Sequence, residues 1–541
     1  MLAKKLTYLT LLLGVACYGH AQDSLMLRDY QFMKQQNAWL TNSNASGLTR
    51  FNTKNIAEAE VILSHDGRSL TEFGGSNNIL QASACVESFY RISNKAVTYG
   101  AISYDNWTGR NMAGSTFMQR RLPFDIVEET QDNTGRKHRD TYQLTGAVGI
   151  DLWHGYSIGA RLDYMAGNYA KYKDLRHRNR LMDLTLSFGA SAPILNWLTI
   201  GANYQYHRTT ESVAFSMYGR EDKVYKSIIA YGAFMGRTEQ FGSTGYTDAN
   251  REMPLVEDQN GGALQLELRP FYHTAGILRT LTVFANASLC NGTGYYGRKS
   301  PYTITYTHHE RDITTFHGRL SLSTRKSRHQ LDLNYASEKL SNYAENYREQ
   351  TNGNGAKYYE YYDPTETGDK HWSDFGADYT LHTGIRGERP TWAITAGYHW
   401  QRRKQTAYYY PYFRYQTLTT NILTVSASRN IITQRGVWTL TLDGGYQKGS
   451  GKPYTDGTFA TPSSKQEAPA DMETYLYQEY HQLTSPQYSV GTQVKYSFQN
   501  PGIPLLTHIR SALHYQRATT IPADYCGQER TTVTIAIGCT F

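Results

Sequence analysis

The side chains that could do chemistry are histidines, carboxylates and serines, and one short run of them invites a metal hypothesis. His308, His309 and Glu310 are consecutive, and imidazole with carboxylate is a common ligand set for zinc. In a β-strand, neighbouring side chains point to opposite faces. His308 and His309 therefore cannot share one ion, and we expect no metal centre at this run.

Catalytic patterns are absent from the sequence. It contains no Gly-x-Ser-x-Gly nucleophile elbow and no phosphate-binding loop, and no Ser, His and acid grouping stands out among its many serines and histidines. The sequence therefore predicts a protein that is not an enzyme and that holds no cofactor.

A larger set of titratable side chains falls on one face of the predicted strands. In 156–165, Arg161 and Asp163 alternate with Ile158, Ala160 and Leu162. The same parity gives the candidate lining of a lumen: Arg161, Asp163, Glu267, Arg269, Asp378, His399 and Arg510. Mixed signs on one face fit two interpretations, a solvated polar pore or a network of ion pairs that fills the interior.

The segments that carry these residues alternate with period two along most of the chain. In 141–153, apolar Leu144, Val148 and Ile150 alternate with Gln143 and Thr145. The mean hydropathy is −0.58, because polar residues on one face cancel apolar residues on the other. Aromatic residues make up 13% of the chain, and 45 of them are tyrosines. This bias is typical of the aromatic girdles of a transmembrane β-barrel.

The final stretch has the same alternation. Val533, Ile535 and Ile537 lead on one parity to Phe541. A strand in this position would expose a sheet edge unless the sheet closes on itself. The ending resembles the terminal strand of bacterial outer-membrane barrels, whose last aromatic residue the barrel-assembly machinery reads. That resemblance makes Phe541 the predicted assembly signal.

The first residues have the pattern of a secretory signal. Lys4 and Lys5 precede an apolar run, and Gly19-His20-Ala21 gives a small-x-small cleavage site. A lipoprotein signal acylated at Cys17 is the alternative. The formal net charge is +8 and becomes +6 without the two lysines, a mild value that argues neither for nor against nucleic acid. We expect no nucleic-acid partner. The predicted location is the outer membrane of a Gram-negative cell.

Short and long connections alternate between the predicted strands. Eight short ones imply 16 strands, and the chain ends leave room for one more pair, so we predict an antiparallel barrel of about 18 strands with 16 as the alternative. Short turns belong in the periplasm and long loops outside the cell. The short turns are 93–95, 154–155, 193–197, 273–276, 325–328, 387–390, 430–435 and 500–503, and the long loops are 108–138, 209–260, 346–369 and 448–481. The predicted organisation is a signal peptide at 1–21, an N-terminal periplasmic or plug-like segment at 22–54 and the barrel at 55–541.

One motif lies in the N-terminal segment. Trp39-Leu40 is followed by Asn44-Ala45-Ser46-Gly47-Leu48, which resembles the Asn-Ala-Ala-Gly-Leu element of an outer-membrane barrel family of Gram-negative anaerobes that carries only a domain-of-unknown-function label. It is more distantly similar to the Asn-Pro-Ala element of long-chain fatty-acid transporters, where this sequence has Ala45 in place of Pro. In either family the resemblance implies a segment packed at the periplasmic mouth. A simple N-terminal turn is the alternative.

These patterns favour a passive role in transport. An energy-coupled receptor needs a folded plug domain, and only about thirty residues precede the strands here. We expect a porin-like channel or an accessory component of nutrient uptake. The alternative is a structural barrel that docks a surface lipoprotein or a partner barrel through its long loops. Membrane lipid and lipopolysaccharide are the expected surroundings. The tyrosine runs 358–362 and 408–415 are expected at the membrane interface, with ligand or partner contacts as the alternative.

Overall fold

The structure is a computed structural model. It describes residues 25–120, 122–128, 133–219, 224–241, 253–272, 278–499, 505–521 and 527–541. The predicted signal peptide and its Cys17 alternative lie outside the described residues, as do the predicted turns 273–276 and 500–503. Two α-helices are present in the described part, α1 (Tyr30–Gln35) and α2 (Glu473–Thr484), together with 3₁₀ turns at Leu25–Leu27, Ala38–Thr41 and Ala45–Arg50.

Strands make up most of the chain. They are β1 (Ile56–Gly67), β2 (Asn78–Arg91), β3 (Ala96–Met112), β4 (Asp125–Glu128), β5 (Gly135–Trp153), β6 (Tyr156–Lys171), β7 (Arg176–Leu195), β8 (Leu198–Ser216), β9 (Tyr225–Gly232), β10 (Met235–Phe241), β11 (Met253–Tyr272), β12 (Leu278–Gly297), β13 (Thr305–Thr324), β14 (Ser327–Thr351), β15 (Lys357–Thr383), β16 (Trp392–Tyr409), β17 (Tyr412–Ile432), β18 (Gly436–Gly451), β19 (Thr455–Thr458), β20 (Gln487–Gln499), β21 (Leu506–Ala518) and β22 (Glu529–Thr540).

Eighteen of these strands form one closed antiparallel barrel. Each barrel strand pairs with its neighbours along the chain, and β1 also pairs with β22. At this seam the backbone N–H of Ala57 donates to the carbonyl of Phe541 at 2.8 Å, and the N–H of Phe541 returns a bond of 3.0 Å to Ala57. The predicted 18-stranded barrel is confirmed, and the alternative of 16 strands is wrong.

A band of apolar side chains faces outward around the barrel. Large apolar residues that are exposed to more than half of their surface occur on strands all around it. They include Val61, Leu63, Ile102, Phe188, Leu264, Leu289, Leu442 and Ile537. An exposed apolar band on a closed barrel is what a lipid bilayer covers. No helix in the described part of the chain is long and apolar enough to cross a membrane.

The predicted loop 346–369 is instead mostly strand. β14 pairs with β13 only as far as Ala344, and β15 pairs with β16 only from Gly368. Beyond these points β14 and β15 continue to pair with each other up to Thr351 and Lys357. The two strands therefore form a hairpin that extends beyond the ladders of β13 and β16 and rests against the turn at 300–305, where the Tyr359 N–H donates to the Pro301 carbonyl at 3.0 Å. This hairpin could not be recognised from the sequence, because its residues are mostly polar. A hairpin that stands in water does not need the apolar alternation of strands that face lipid.

Two other predicted loops, 108–138 and 209–260, enter the barrel instead of remaining outside it. They supply β4, β9 and β10, which pair into a three-stranded sheet. On one side Phe117, Phe124 and Ile126 pack against Phe215 and Tyr296 of the barrel wall. On the other side the sheet packs against α2. The sheet thus crosses the outer part of the lumen from one wall to the other.

Candidate functional site, the plugged periplasmic mouth

Residues 25–54 occupy the end of the lumen that carries the short turns, as a chain of short helical turns. Asp29 caps α1, since its Oδ1 accepts the N–H of Phe32 at 3.0 Å. Asn37 caps the next turn in the same way. Caps of this kind stabilise helices that are too short to persist alone. In the described residues the segment adds no strand to the barrel ladder and makes one isolated bridge, Arg28 with Glu388. We call residues 25–54 the inner plug.

Asn44 is the buried polar centre of the inner plug. Its side chain is fully buried. The Nδ2 group donates to the carbonyls of Ala190 and Ala202 at 3.0 and 3.1 Å and to Oε1 of Gln265 at 2.8 Å. Its Oδ1 accepts the backbone N–H of Ser46 at 3.1 Å. Every polar atom of this amide is satisfied, so the motif is held to three barrel strands by hydrogen bonds.

Four glycines on neighbouring strands make room for this motif. Gly149, Gly159, Gly189 and Gly201 face the lumen on β5, β6, β7 and β8, and Gly149 pairs with Gly159, which pairs with Gly189. A Cβ placed on Gly159 would lie 2.3 Å from the carbonyl carbon of Ala45, and one on Gly201 would lie 2.7 Å from the Trp39 ring. No other residue type allows this approach. These four residues are called the glycine strip.

A buried carboxylate fixes the middle of the inner plug. Glu267, whose side chain is 3% exposed, accepts the indole N–H of Trp39 at 2.8 Å and lies 3.0 Å from the guanidinium of Arg50 and 2.7 Å from that of Arg269. The Arg50 guanidinium also covers the Trp39 ring at 4.5 Å. Gly47 is required here, because a Cβ on it would lie 2.7 Å from that of Trp39. One carboxylate thus joins two plug residues to the wall.

Arginines hold the opposite side of the inner plug by its backbone. Arg389 donates to the carbonyl of Met26 at 2.8 Å and pairs with Asp29 at 3.2 Å. Arg319 donates to the carbonyl of Gln35 at 3.1 Å, and Arg328 donates to that of Gln36. The last two reach the C-terminal end of α1, where carbonyls without helical partners favour a positive charge. Directional polar bonds therefore surround the inner plug.

The inserted sheet at the other end of the lumen is also attached through buried polar groups. Glu211 on β8 accepts the backbone N–H of Met118 at 2.8 Å and the side-chain amide of Asn179 at 2.6 Å, and burial raises the pKa of this carboxyl to about 7. Lys137 on β5 donates to the carbonyls of Ala113 and Ser115 at 3.0 and 2.7 Å, and burial lowers the pKa of its amine to about 8. Both groups lie above the apolar band of their strands.

The predicted lumen residues lie on the inner wall and are paired. Arg161 contacts Asp163 at 2.7 Å, Arg269 contacts Glu267, and His399 contacts Asp378 at 3.1 Å. Arg510 reaches over β22 to Glu60 of β1 at 2.7 Å, so this pair spans the seam of the barrel. Of these seven, Glu267 and Arg269 belong to the plug contacts, while the others line the wall away from it. Each pair joins residues on the same strand or on nearby strands, so the charges are paired along the wall and not across the lumen.

His308 and His309 make separate contacts, as their alternation requires. His308 Nδ1 lies 2.7 Å from Glu345, and buried His309 Nε2 lies 3.0 Å from Glu257. The tyrosine run 358–362 is not at the membrane interface. It lies on the β14–β15 hairpin, and Tyr361 is fourteen residues beyond Phe375, the cross-strand partner of exposed Tyr335 in the apolar band. At about 3.3 Å per residue and a typical tilt, that is roughly 35 Å further out.

The Asn44 motif was recognised in the sequence, but the glycine strip of the wall that contacts it was not. The motif was visible as a local pattern, whereas the glycine strip is spread over four strands. A signal for it exists in the sequence. Gly149, Gly159, Gly189 and Gly201 all fall on the lumen parity of consecutive strands, where a bare backbone marks the close approach of another chain segment.

The chain matches the model of the Family of unknown function (DUF6850) over residues 45–541 and belongs to that family. Curated protein sequences give no match. Among solved structures, the chain is similar to BauA, the ferric preacinetobactin receptor from Acinetobacter baumannii, with 9% identity over 90% of this chain and 81% of that one and a TM-score of 0.37. It is also similar to the outer membrane transporter YddB from Escherichia coli, with 7% identity over 91% and 81% and a TM-score of 0.41.

The family match agrees with the first resemblance seen in the sequence, and the similarity to fatty-acid transporters is not shown. The closed barrel and its exposed apolar band make the protein an integral component of the outer membrane.

Proposed function

We propose that the protein is a gated conduit for uptake of small polar nutrients, closed at its periplasmic mouth by the inner plug. The observation that carries this proposal is the attachment of residues 25–54. They share no ladder with the barrel in the described residues and are seated in the glycine strip by side-chain and backbone hydrogen bonds. Such a segment can leave while every strand keeps both neighbours.

The balance of contacts supports a reversible closure. An apolar cluster of the plug, including Tyr30, Leu48 and Phe51, packs on Phe89 and Val97 of the wall. A second apolar contact joins Ala38 and Trp39 to Phe284 of the wall. The rest of the attachment is polar, through Asn44, Glu267 and the arginines described above. Polar partners can exchange protein bonds for water, so their net contribution is about 1 kcal/mol for each neutral bond. The lumen that opens would be lined by paired charges and hydroxyls, which suits polar solutes.

The test is solute flux into proteoliposomes. Liposomes that contain the mature chain are compared with liposomes that contain the chain without residues 25–54, and swelling is followed in an uncharged sugar at pH 8, where ionisation of Glu211 should loosen the sheet that crosses the outer lumen. The proposal expects slow swelling with the intact chain and fast swelling after the deletion. Equal and slow swelling, with both chains showing heat-modifiable barrel mobility on a gel, would overturn it.

A second function, partner docking, is favoured by the β14–β15 hairpin. Its tip extends beyond the ladders of both neighbouring strands and exposes Tyr361 and Tyr362 beside Arg348 and Glu360, while the Tyr361 hydroxyl accepts the backbone N–H of Thr305 at 2.9 Å. Exposed tyrosines with nearby charges are common anchors of protein interfaces. Replacing 345–366 by a short turn tests this function. Loss of a co-purifying surface protein, with solute flux unchanged, would assign docking to the hairpin.

A further inference from the structure

A cavity of about 260 Å³ lies between the inner plug and the wall on the side of β15 to β22, and it reaches Glu58 of β1. One side is made by α1 and its flanks, with Gln31, Phe32 and Gln35. At one end the cavity borders Leu506, the first residue of β21. At the other end it borders Gln493, which lies six residues before the last residue of β20. The cavity therefore runs along the depth of the plug on the side away from the glycine strip.

The charges around this cavity cancel in pairs. Asp29 lies 3.2 Å from Arg389, and Glu58 lies 3.2 Å from Lys495. Lining His382 meets the Phe32 ring edge-on, with 4.9 Å between the ring centres. An ordinary histidine is mostly neutral at pH 7. A charged solute would find no unpaired counter-charge among the described residues that line the cavity.

The rest of the polar lining is hydroxyl and amide. Five serines and threonines, among them Ser428, Thr439 and Thr441, and four amides, among them Gln31 and Gln493, border the space. Hydroxyls and primary amides both donate and accept hydrogen bonds. Their natural complement is a solute whose own groups do both and carry no charge. A sugar has this chemistry, whereas a free peptide brings charged ends.

We infer that this cavity is a binding site for a neutral polyhydroxylated solute of mono- or disaccharide size. As the substrate class of the conduit this inference rests on the proposed function, but the site itself is testable alone. Because α1 supplies one side, the site exists only while the inner plug is seated. Binding and conduction therefore respond in opposite directions when the plug is removed.

The experiment is saturation-transfer NMR on the full mature chain in detergent, with maltose as the probe and glucuronate, glucosamine and diglycine as comparisons. Saturable binding of maltose in preference to all three is expected. Thr441→Val keeps the shape but removes a lining hydroxyl and should weaken maltose binding about three- to ten-fold. The Thr441 hydroxyl pairs with that of Ser428 on the neighbouring strand. Thr395→Val is the matched control, since Thr395 forms the same kind of cross-strand pair with Thr380 outside the cavity.

Deletion of residues 25–54 should abolish saturable maltose binding in the same assay. The inference is overturned if maltose binds no better than glucuronate or diglycine, if Thr395→Val weakens binding as much as Thr441→Val, or if binding survives the deletion. If the binding assay fails but the chain lacking residues 25–54 still passes solute, the binding site is refuted and the proposed conduit function is not. If maltose binds but neither chain passes solute, the conduit function is refuted and the binding site is supported.

Discussion

The indole N–H of Trp39 in the inner plug donates to the carboxylate of Glu267 in the barrel wall at 2.8 Å. The two residues are 228 positions apart in the sequence, and Glu267 also holds Arg50 of the plug and Arg269 of its own strand. A substitution of Glu267 should therefore weaken the attachment of the inner plug to the barrel wall.

Glu267→Gln should release the inner plug. Removing the charge leaves Arg50 without its carboxylate in a buried setting, and losing one partner of a buried pair costs about 3 kcal/mol or more. Hydrogen exchange of residues 38–50 should speed up by roughly a hundred-fold. Asp378→Asn is the matched control, since the Asp378–His399 pair lies away from the plug. Equal effects from both variants would contradict the role assigned to Glu267.

Gly159→Ala should displace the plug without harming the barrel. The new methyl would lie 2.3 Å from the backbone of Ala45 and Ser46, and overpacking of this kind costs about 1–3 kcal/mol. Gly146→Ala in the neighbouring strand is the control, because no atom lies within 4 Å of its added Cβ. Limited proteolysis should cut within 25–54 in Gly159→Ala only. A plug equally protected in both variants would show that the glycine strip is not its seat.

Asn44→Ala should loosen the motif by about 1–3 kcal/mol, since three acceptors on the wall lose their donor in a buried place. The fully exchanged fraction of amides 44–50 should rise, while the thermal stability of the barrel stays unchanged. Gln31→Ala, at an exposed position in the same plug, should change neither quantity. A fall in barrel stability with Asn44→Ala would mean that the segment is a structural part of the barrel rather than a plug.

The outer sheet should respond to pH through Glu211. Burial raises the pKa of this carboxyl from 4.5 to about 7, so the docked sheet binds more protons than the undocked one between those values. Its stability is fully present below pH 4.5 and is lost as pH rises through 7, by up to about 3 kcal/mol. Buried Glu128, whose pKa burial also raises, acts in the same direction. Lys137 titrates only near pH 8 and above.

Hydrogen exchange of residues 113–119, corrected for the intrinsic effect of pH, measures this response. Buried His177, which contacts Asn179 at 2.8 Å, opposes this trend, because burial lowers its pKa and the docked state then loses stability as pH falls through 6.5. The contribution of Glu211 is therefore read from the difference between the wild type and Glu211→Gln, and the wild type should gain protection relative to Glu211→Gln on going from pH 7.5 to pH 5.5. A difference that shrinks or reverses at pH 5.5 would contradict the assignment.

The barrel strands could be predicted from local sequence patterns, but the elements that depend on long-range contacts could not. Strands such as β5 and β6 alternate over more than ten residues because one side meets lipid, so their existence and their turn at 154–155 could be read directly. β4, β9 and β10 could not, since Ile126, Ile229 and their neighbours are apolar for contacts made across the lumen. The Asn44 motif could be recognised in the sequence. The glycine strip that it contacts could not be predicted without knowing how four strands pair.

The most direct test of the plugged-conduit account is single-channel conductance in a planar bilayer at pH 8, where Glu211 is ionised and the outer sheet is loosened. The mature chain is compared with the chain lacking residues 25–54 under the same voltage. The account predicts a silent intact chain and steady current after the deletion. Steady current from the intact chain, or silence from both chains when both are folded barrels, would contradict it.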